Sequence, residues 1–209
     1  MKRKALFFLL VFTLILSWTA LAQKDNLVFT VSEDGEMVGG EGDEITVTGS
    51  KIVITQGKTQ ITTQKLIYNT KTKVARAFGR CIIVNDNMTI TADEVFFDTE
   101  NDYARLIGSV QVVQERDKTL TIDADEVELW TETKDVKAEG NIVINDTEKT
   151  IYGDTLEFSD GTGIAKLIGN LKLVEEDRIL TSPNGVLETN VDKGTYKVTG
   201  PIEFVTKVN

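Results

Sequence analysis

A glycine returns at a nearly fixed interval along this chain, at Gly49, Gly79, Gly108, Gly140, Gly169 and Gly200, with spacings of 30, 29, 32, 29 and 31 residues. Successive residues of a strand face opposite sides, so positions two apart share a face. Two residues before the glycines stand Val47, Ala77, Leu106, Ala138, Leu167 and Val198. Two after them stand Lys51, Cys81, Val110, Ile142, Leu171 and Ile202, and four after them Val53, Ile83, Val112, Ile144, Leu173 and Phe204. Only Lys51 breaks the apolar pattern, so each glycine sits in a long strand with one greasy face.

The stretch Ala104–Leu129 shows the whole unit. A first strand centred on Gly108 runs into the polar turn Glu115-Arg116-Asp117-Lys118, and a second strand follows with Leu120, Ile122 and Ala124 on one face. Val127 and Leu129 then fall on the other parity, which predicts a β-bulge or bend after Ala124 that returns both halves to one face. The second strand repeats as well. Its first apolar position is Ile61, Ile90, Ile122, Ile151 and Leu180; a small residue follows at Thr63, Ala92, Ala124, Gly153 and Ser182; a large one closes it at Tyr68, Phe97, Leu129, Phe158 and Leu187. One copy of about 30 residues cannot bury its own apolar face, so the copies stack.

No segment after the leader has a helical period, and Val, Ile and Thr dominate. Polar turns such as Asn85-Asp86-Asn87, Thr99-Glu100-Asn101-Asp102 and Ser159-Asp160-Gly161-Thr162-Gly163 punctuate the strands. The expectation is an all-β, elongated stack of antiparallel repeats. The two columns of small residues mark creases at which each strand folds over, giving two walls that meet along a line. Periodicity alone is compatible both with an open apolar trough, a twisted half-barrel, and with walls that close on a filled core.

Residues 1–22 read as a secretory signal peptide: Lys2-Arg3-Lys4 is basic, Ala5 to Leu16 is almost wholly apolar, and Ala20-Leu21-Ala22 offers a small-x-small cleavage pattern. Cleavage leaves 23–209 as one β domain beginning at Gln23, with no cysteine there for lipid attachment. The competing reading is an uncleaved anchor near the lower length limit for a span. Loss of the three basic residues moves the formal charge from −10 to −13, which argues against nucleic acid as a partner. The lone Cys81 cannot form an internal disulfide and, on the inward parity, reads as a small buried hydrophobe.

Leu27, Phe29 and Val31 alternate as a lead-in strand, whereas Glu33 to Glu44, rich in Gly, Asp and Glu, reads as a loop. Pro183 falls at a second-strand corner and Pro201 just after the last glycine, which suits a terminal strand near an open edge. Three residues before the glycines comes a basic column, Arg76, Arg105, Lys137, Lys166 and Lys197. It reads as outward-facing and paired across strands with acids such as Asp93, Asp125 and Asp154 rather than as a rail for lipid phosphates.

The chain has no histidine, which removes the commonest general base and metal ligand. It has no nucleophile elbow, P-loop or cysteine cluster. Asp123 and Asp125 form a D-x-D on an outer strand face, a solvated arrangement rather than a metal site. The sequons at Asn87 and Asn145 are weak. No catalytic residue, metal or cofactor is expected, and the chain reads as a non-enzyme.

With these columns in place, Ile45 to Gly57 (I-T-V-T-G-S-K-I-V-I-T-Q-G) resembles the opening repeat of the OstA-like (LptA) family of periplasmic lipopolysaccharide-transport proteins. The Ala-Asp-Glu-Val segments at Ala92 to Val95 and Ala124 to Val127 resemble that family's second-strand motif. The resemblance covers about residues 25–208. It implies an open β-jellyroll whose interior holds the acyl chains of lipopolysaccharide. It implies head-to-tail joining through edge strands, into a bridge between an LptC-like inner-membrane protein and an LptD-like outer-membrane protein. The large second-strand columns, Ile61, Ile90, Ile122, Ile151 and Leu180 with Tyr68, Phe97, Leu129, Phe158 and Leu187, then become lipid contacts, with Val53, Ile83, Val112, Ile144 and Leu173 four after the glycine and Leu106 and Leu167 two before it. The docking edges fall near Ile202 to Val208, and near Leu27 to Val31 or Ile45 to Thr48.

The chain is more acidic than a carrier of an anionic lipid requires, so binding would rest on acyl burial, about 0.8 kcal/mol per CH₂. An uncleaved leader would make the chain resemble the anchored relative LptC instead. A β-repeat scaffold with a filled core and no cargo is the remaining alternative.

Overall fold

The structure, a computed structural model, describes residues 28–40, 42–115, 119–190, 193 and 195–206. The expected leader, residues 1–22, and the Arg116–Lys118 part of the first polar turn lie outside them. Sixteen strands make up the described chain. They are β1 (Val28–Val31), β2 (Glu36–Gly39), β3 (Glu44–Gln56), β4 (Thr59–Asn69), β5 (Val74–Asn85), β6 (Met88–Asp98), β7 (Tyr103–Gln114) and β8 (Leu120–Trp130). There follow β9 (Asp135–Asn145), β10 (Lys149–Ser159), β11 (Ile164–Ile168), β12 (Leu171–Glu175), β13 (Arg178–Ser182), β14 (Val186–Asn190), β15 (Thr195–Thr199) and β16 (Glu203–Thr206).

Every pairing is antiparallel between neighbours, and the sheet stays open rather than closing on itself. From β3 to β10 each strand is long and bent. Wall A holds β2, the halves of β3–β10 on its side of the bend, and then β11, β14 and β15. Wall B holds β1, the other halves, and then β12, β13 and β16. The sheet forks at β10, where Lys149–Tyr152 pairs with β12 and Thr155–Ser159 with β11.

The bend is made by the recurring glycine and the residue after it. Gly79 and Arg80, Gly108 and Ser109, Gly140 and Asn141, and Gly169 and Asn170 all take positive φ, from 39° to 81°. In the β7–β8 pair the register jumps between Ile107↔Glu126 and Val110↔Ala124, so two residues of β7 face the single Asp125 of β8. Such a two-against-one bulge bends a strand and sharpens its twist. Ala124 and Val127 are both buried, as the parity slip requires. The glycine strand is where strict alternation fails: Leu106 and Val110 are both inward, and Gly108 lies in the bend between them rather than on the face.

The opening repeat departs from the later ones. Gly49 lacks the positive φ of its counterparts, and one more residue separates it from the inward face. Ile52 and Ile54 are buried, and Ile54 pairs with Ile61 as Ile83 pairs with Ile90. Val53 therefore faces outward, and Lys51 is exposed without interrupting the greasy face. The expected loop from Glu33 to Glu44 is also corrected: β2 lies within it and pairs Met37 with Val47 and Val38 with Thr46. The first half of β3 would otherwise leave its ladder groups unpaired. Pro183 and Pro201 fall in the breaks between β13 and β14 and between β15 and β16, where no ladder donor is lost.

Across wall B one ladder of β-branched and large residues runs strand by strand through Ile54, Ile61, Ile83, Ile90, Val112 and Ile122 to Ile144, Ile151, Leu173 and Leu180. Across wall A large and small residues alternate: Tyr68, Ala75, Phe97, Ala104, Leu129, Val136, Phe158, Ala165. The alanines admit the rings beside them, so the two walls interdigitate, and each fully buried aliphatic contributes roughly 1.5–3 kcal/mol.

Candidate functional site: the interior between the walls

Twelve of the seventeen sequence-derived contact residues lie at nine per cent exposure or less. They include Ile90, Phe97, Leu106, Leu129, Ile144, Phe158 and Leu167. Tyr68, Leu173, Leu180 and Leu187 are half-buried toward the two ends, and Val53 is on the other face. The interior is thus packed shut through its middle and hollow near both ends. Toward β1 a cavity of about 40 Å³ lies between Ile54, Ile61 and Phe29 of wall B and Ala75, Phe97 and Ala104 of wall A. Toward β16 a larger one, about 100 Å³, lies between Ile151, Leu173 and Leu180 of wall B and Leu187, Tyr196 and Val198 of wall A.

Among the described residues the walls meet by backbone ladder only through the bent strands. Along the opposite margin, where the turns lie, runs an inward polar column: Gln56, Asn85 and Gln114, spaced by 29 residues, with Asp146 and Glu175 in the later copies. Gln114 and Asn85 are buried, and the Asn85 Nδ2 donates to the Thr59 Oγ1 at 3.1 Å. On the facing margin the Thr131 Oγ1 donates to the Asp102 carbonyl at 3.1 Å. Buried polar groups with partners close the mouth without apolar contact alone. Column counting on the apolar positions passed over this one; the same period applied to strand ends reveals it.

The basic column lies outward as expected, but its partners are glutamates: Arg76 with Glu94 at 2.7 Å, Arg105 with Glu126 at 2.5 Å, Lys137 with Glu139 at 2.6 Å and Lys166 with Glu188 at 3.6 Å. The Arg105 guanidinium holds the Glu126 carboxyl below its usual range. Burial, with the Glu128 carboxylate accepting its hydrogen bond at 2.5 Å, pushes the Tyr103 phenol up to about 12. The expected aspartate partners do something else. The Asp93 and Asp125 side chains lie over Gly108 and Gly140 of the next strand, and that of Asp154 over Gly169 in the break between β11 and β12. Asp125 accepts from the Asn141 Nδ2 at 2.9 Å, and Asp154 from the Asn170 Nδ2 at 2.9 Å.

Asp123 accepts from the Gln111 Nε2 at 2.8 Å, and among the described residues no group of three or more His, Cys, Asp or Glu could hold a metal ion. Cys81 is buried against the Thr63 hydroxyl, and desolvation pushes its thiol up, away from the reactive thiolate. What the arrangement offers chemically is apolar volume between two walls, polar groups at its margin and, among the described residues, strands with one unpaired edge at both ends.

None of the curated proteins matches the chain. Among solved structures it is similar to LptH from Pseudomonas aeruginosa, described as the LptA-homologous periplasmic component of the conserved lipopolysaccharide transport device. The TM-score is 0.46 at 15% identity, over 56% of this chain and 85% of that one. The family of OstA-like proteins matches residues 82–204, well over half of the sequence. By that match the chain belongs to the OstA-like protein family.

Proposed function

We propose that the chain is a periplasmic, non-catalytic carrier of lipopolysaccharide. In this reading the acyl chains lie between the walls, and the open ends link inner-membrane and outer-membrane partners. One observation carries it: a largely apolar inner face lies between two walls that, among the described residues, backbone ladders join only along the crease. Walls hinged on one line can part for a chain of methylenes, and each methylene buried is worth about 0.8 kcal/mol. The contacts proposed are the inward columns, with Ile54 in place of Val53.

The ends support the bridging role. At one end β1 and β2 expose Val28, Met37 and Val38; at the other, β15 and β16 expose Tyr196, Phe204 and Val205. Unprotected edge strands of this kind template strand addition. Each wall counts twelve strand segments. With an even count, a second copy translated along the stack places its first strand antiparallel to the last strand of the copy before it. The same geometry supports head-to-tail self-association and docking onto LptC-like and LptD-like edges. The leader fits export by cleavage after Ala22, which an intact mass beginning at Gln23 would establish; retention would favour the anchored LptC-like role.

Depletion of the protein in its host tests the reading. Newly made lipopolysaccharide should accumulate in the inner membrane on fractionation; an unchanged distribution between membranes contradicts it. The packed middle of the interior favours a second reading, a scaffold without cargo, which the same unchanged distribution would support.

A further inference from the structure

The outer faces of the two walls are made by the same strands and differ in charge. β3–β10 cross the bend, so each contributes outward positions to both walls. On wall A these eight strands place twenty-four outward residues in the ladders, three per strand, and twelve are charged, the Arg76–Glu94 and Arg105–Glu126 pairs among them. On wall B they place sixteen, two per strand, and one is charged: Asp123, which accepts from Gln111. Eleven of those sixteen are Val, Ile or Thr. One row runs strand by strand through Thr55, Gln60, Val84, Thr89, Val113 and Thr121. Strand propensity favours β-branched residues on either wall, so it does not explain why the charges stop at the bend. In β1, β12, β13 and β16 the band continues through Val28, Val174 and Ile179, and Lys172 and Glu203 are the charges those strands add.

We infer that the outer face of wall B is a contact surface for a second copy of this chain, the two copies packing sheet on sheet with their Val and Thr rows facing each other. Such pairing uses neither the interior nor the strand edges, so it is independent of the carrier reading.

Loss of charge marks the centre of an interface rather than a solvated face. The chain carries 33 acids against 23 bases, so two copies repel wherever acids face acids, and this band is where they meet without that cost. A face of Val and Thr is complementary to itself, which is what a two-fold contact requires. Stacked sheets lie about 10 Å apart with strands within about 30° of each other. Twelve strand segments about 4.8 Å apart, with four residues of about 3.3 Å each, make a band of about 58 by 13 Å. Two such bands crossing at about 30° share roughly half of it, about 340 Å² per copy, against the roughly 800 Å² of a standard stable complex. The pair is therefore weak and forms at high protein concentration.

Sedimentation and small-angle scattering of the chain beginning at Gln23 test this, in a Met37→Lys background that places a charge on the β2 edge against strand addition. The expected species is a reversible dimer whose maximum dimension stays near that of one copy, about 60 Å, where a head-to-tail pair would reach about 115 Å. Raising the salt should tighten it by screening the two acidic copies. Val84→Lys and Thr89→Lys, made separately at exposed positions, should each weaken it roughly tenfold or more by burying an unpaired charge. Gly161→Lys adds the same charge in a turn, with nothing within 4 Å of its Cβ, and should change it by no more than about twofold. A monomer at every concentration, a dimer of doubled length, weakening by salt, or a dimer indifferent to both Val84→Lys and Thr89→Lys overturns the inference. Each of these leaves the carrier reading standing, because the interior faces away from this surface.

Discussion

The sharpest consequence of the crease concerns Gly140. Its φ is +78°, and a Cβ built there would lie 2.2 Å from the Oδ2, 2.7 Å from the Cγ and 2.8 Å from the Cβ of Asp125. Turning χ1 of Asp125 moves its carboxylate but not its Cβ, so the backbones of β8 and β9 must separate to admit alanine. The left-handed backbone alone costs about 1–2 kcal/mol for a residue with a side chain. Displacing the Asp125–Asn141 hydrogen bond adds about 0.5–1.5 kcal/mol. Gly140→Ala is therefore expected to lower unfolding free energy by about 1.5–3.5 kcal/mol in urea titration, with the slope unchanged. Gly161→Ala is the control: nothing lies within 4 Å of its Cβ, and the change should stay within about 0.5 kcal/mol. In Gly140→Ala/Asp125→Ala the carboxylate contacts at 2.2 and 2.7 Å are gone while the Cβ contact at 2.8 Å and the backbone cost remain, so the double variant should recover part of the loss and be more stable than Gly140→Ala alone. If Gly140→Ala matches the Gly161 control, or removing Asp125 recovers nothing, the account of the crease is wrong.

Other perturbations reach other parts of the structure. Ile54→Ala should cost about 2–5 kcal/mol and Val53→Ala about 1 kcal/mol or less by urea titration, because Ile54 is buried and Val53 faces out. The Tyr103 phenol is raised in the fold from 10.0 to about 12. The folded state thus holds its proton longer than the unfolded chain, and stability present below pH 10 is lost as pH rises toward 12; Tyr103→Phe should flatten that fall in alkaline unfolding curves. Met37→Lys and Val205→Lys, each at an exposed edge position, should reduce self-association in sedimentation without shifting the thermal midpoint. A variant that unfolds would show that the edge side chains are part of the core instead.

Much of the fold is legible because its information is periodic. The inward columns at Ile61, Ile90, Ile122 and Ile151 and at Phe97, Leu129 and Phe158 could be counted, and all are buried. The bend after Ala124 announced itself as a three-residue step. What escaped was local. The glycine strand kept an apparently unbroken alternation through Leu106, Gly108 and Val110, since the two left-handed residues at the bend restore parity by adding a pair. The opening repeat contains one more residue at its bend, and nothing in Gly49-Ser50-Lys51 distinguishes that from a lysine on the inner face. The strand at Glu36–Gly39 was hidden by flanking glycines and acids, because its stability comes from the unpaired half of β3 rather than from its own propensity. Whether the interior is filled depends on how large and small side chains on facing walls interdigitate. That is a relation between columns, and single columns do not carry it. The polar margin at Gln56, Asn85 and Gln114 was within reach of the same counting.

The central claim is that acyl chains enter between the walls, and in-cell photo-crosslinking tests it most directly. A photoreactive residue replaces Phe97, buried on the inner face of wall A, and in a separate strain Arg105, on its outer face beside Glu126. The account predicts a lipopolysaccharide adduct at position 97 and none at 105. With both variants expressed at normal levels, no lipid adduct at 97, or equal adducts at the two positions, would contradict it and leave a packed scaffold as the better description.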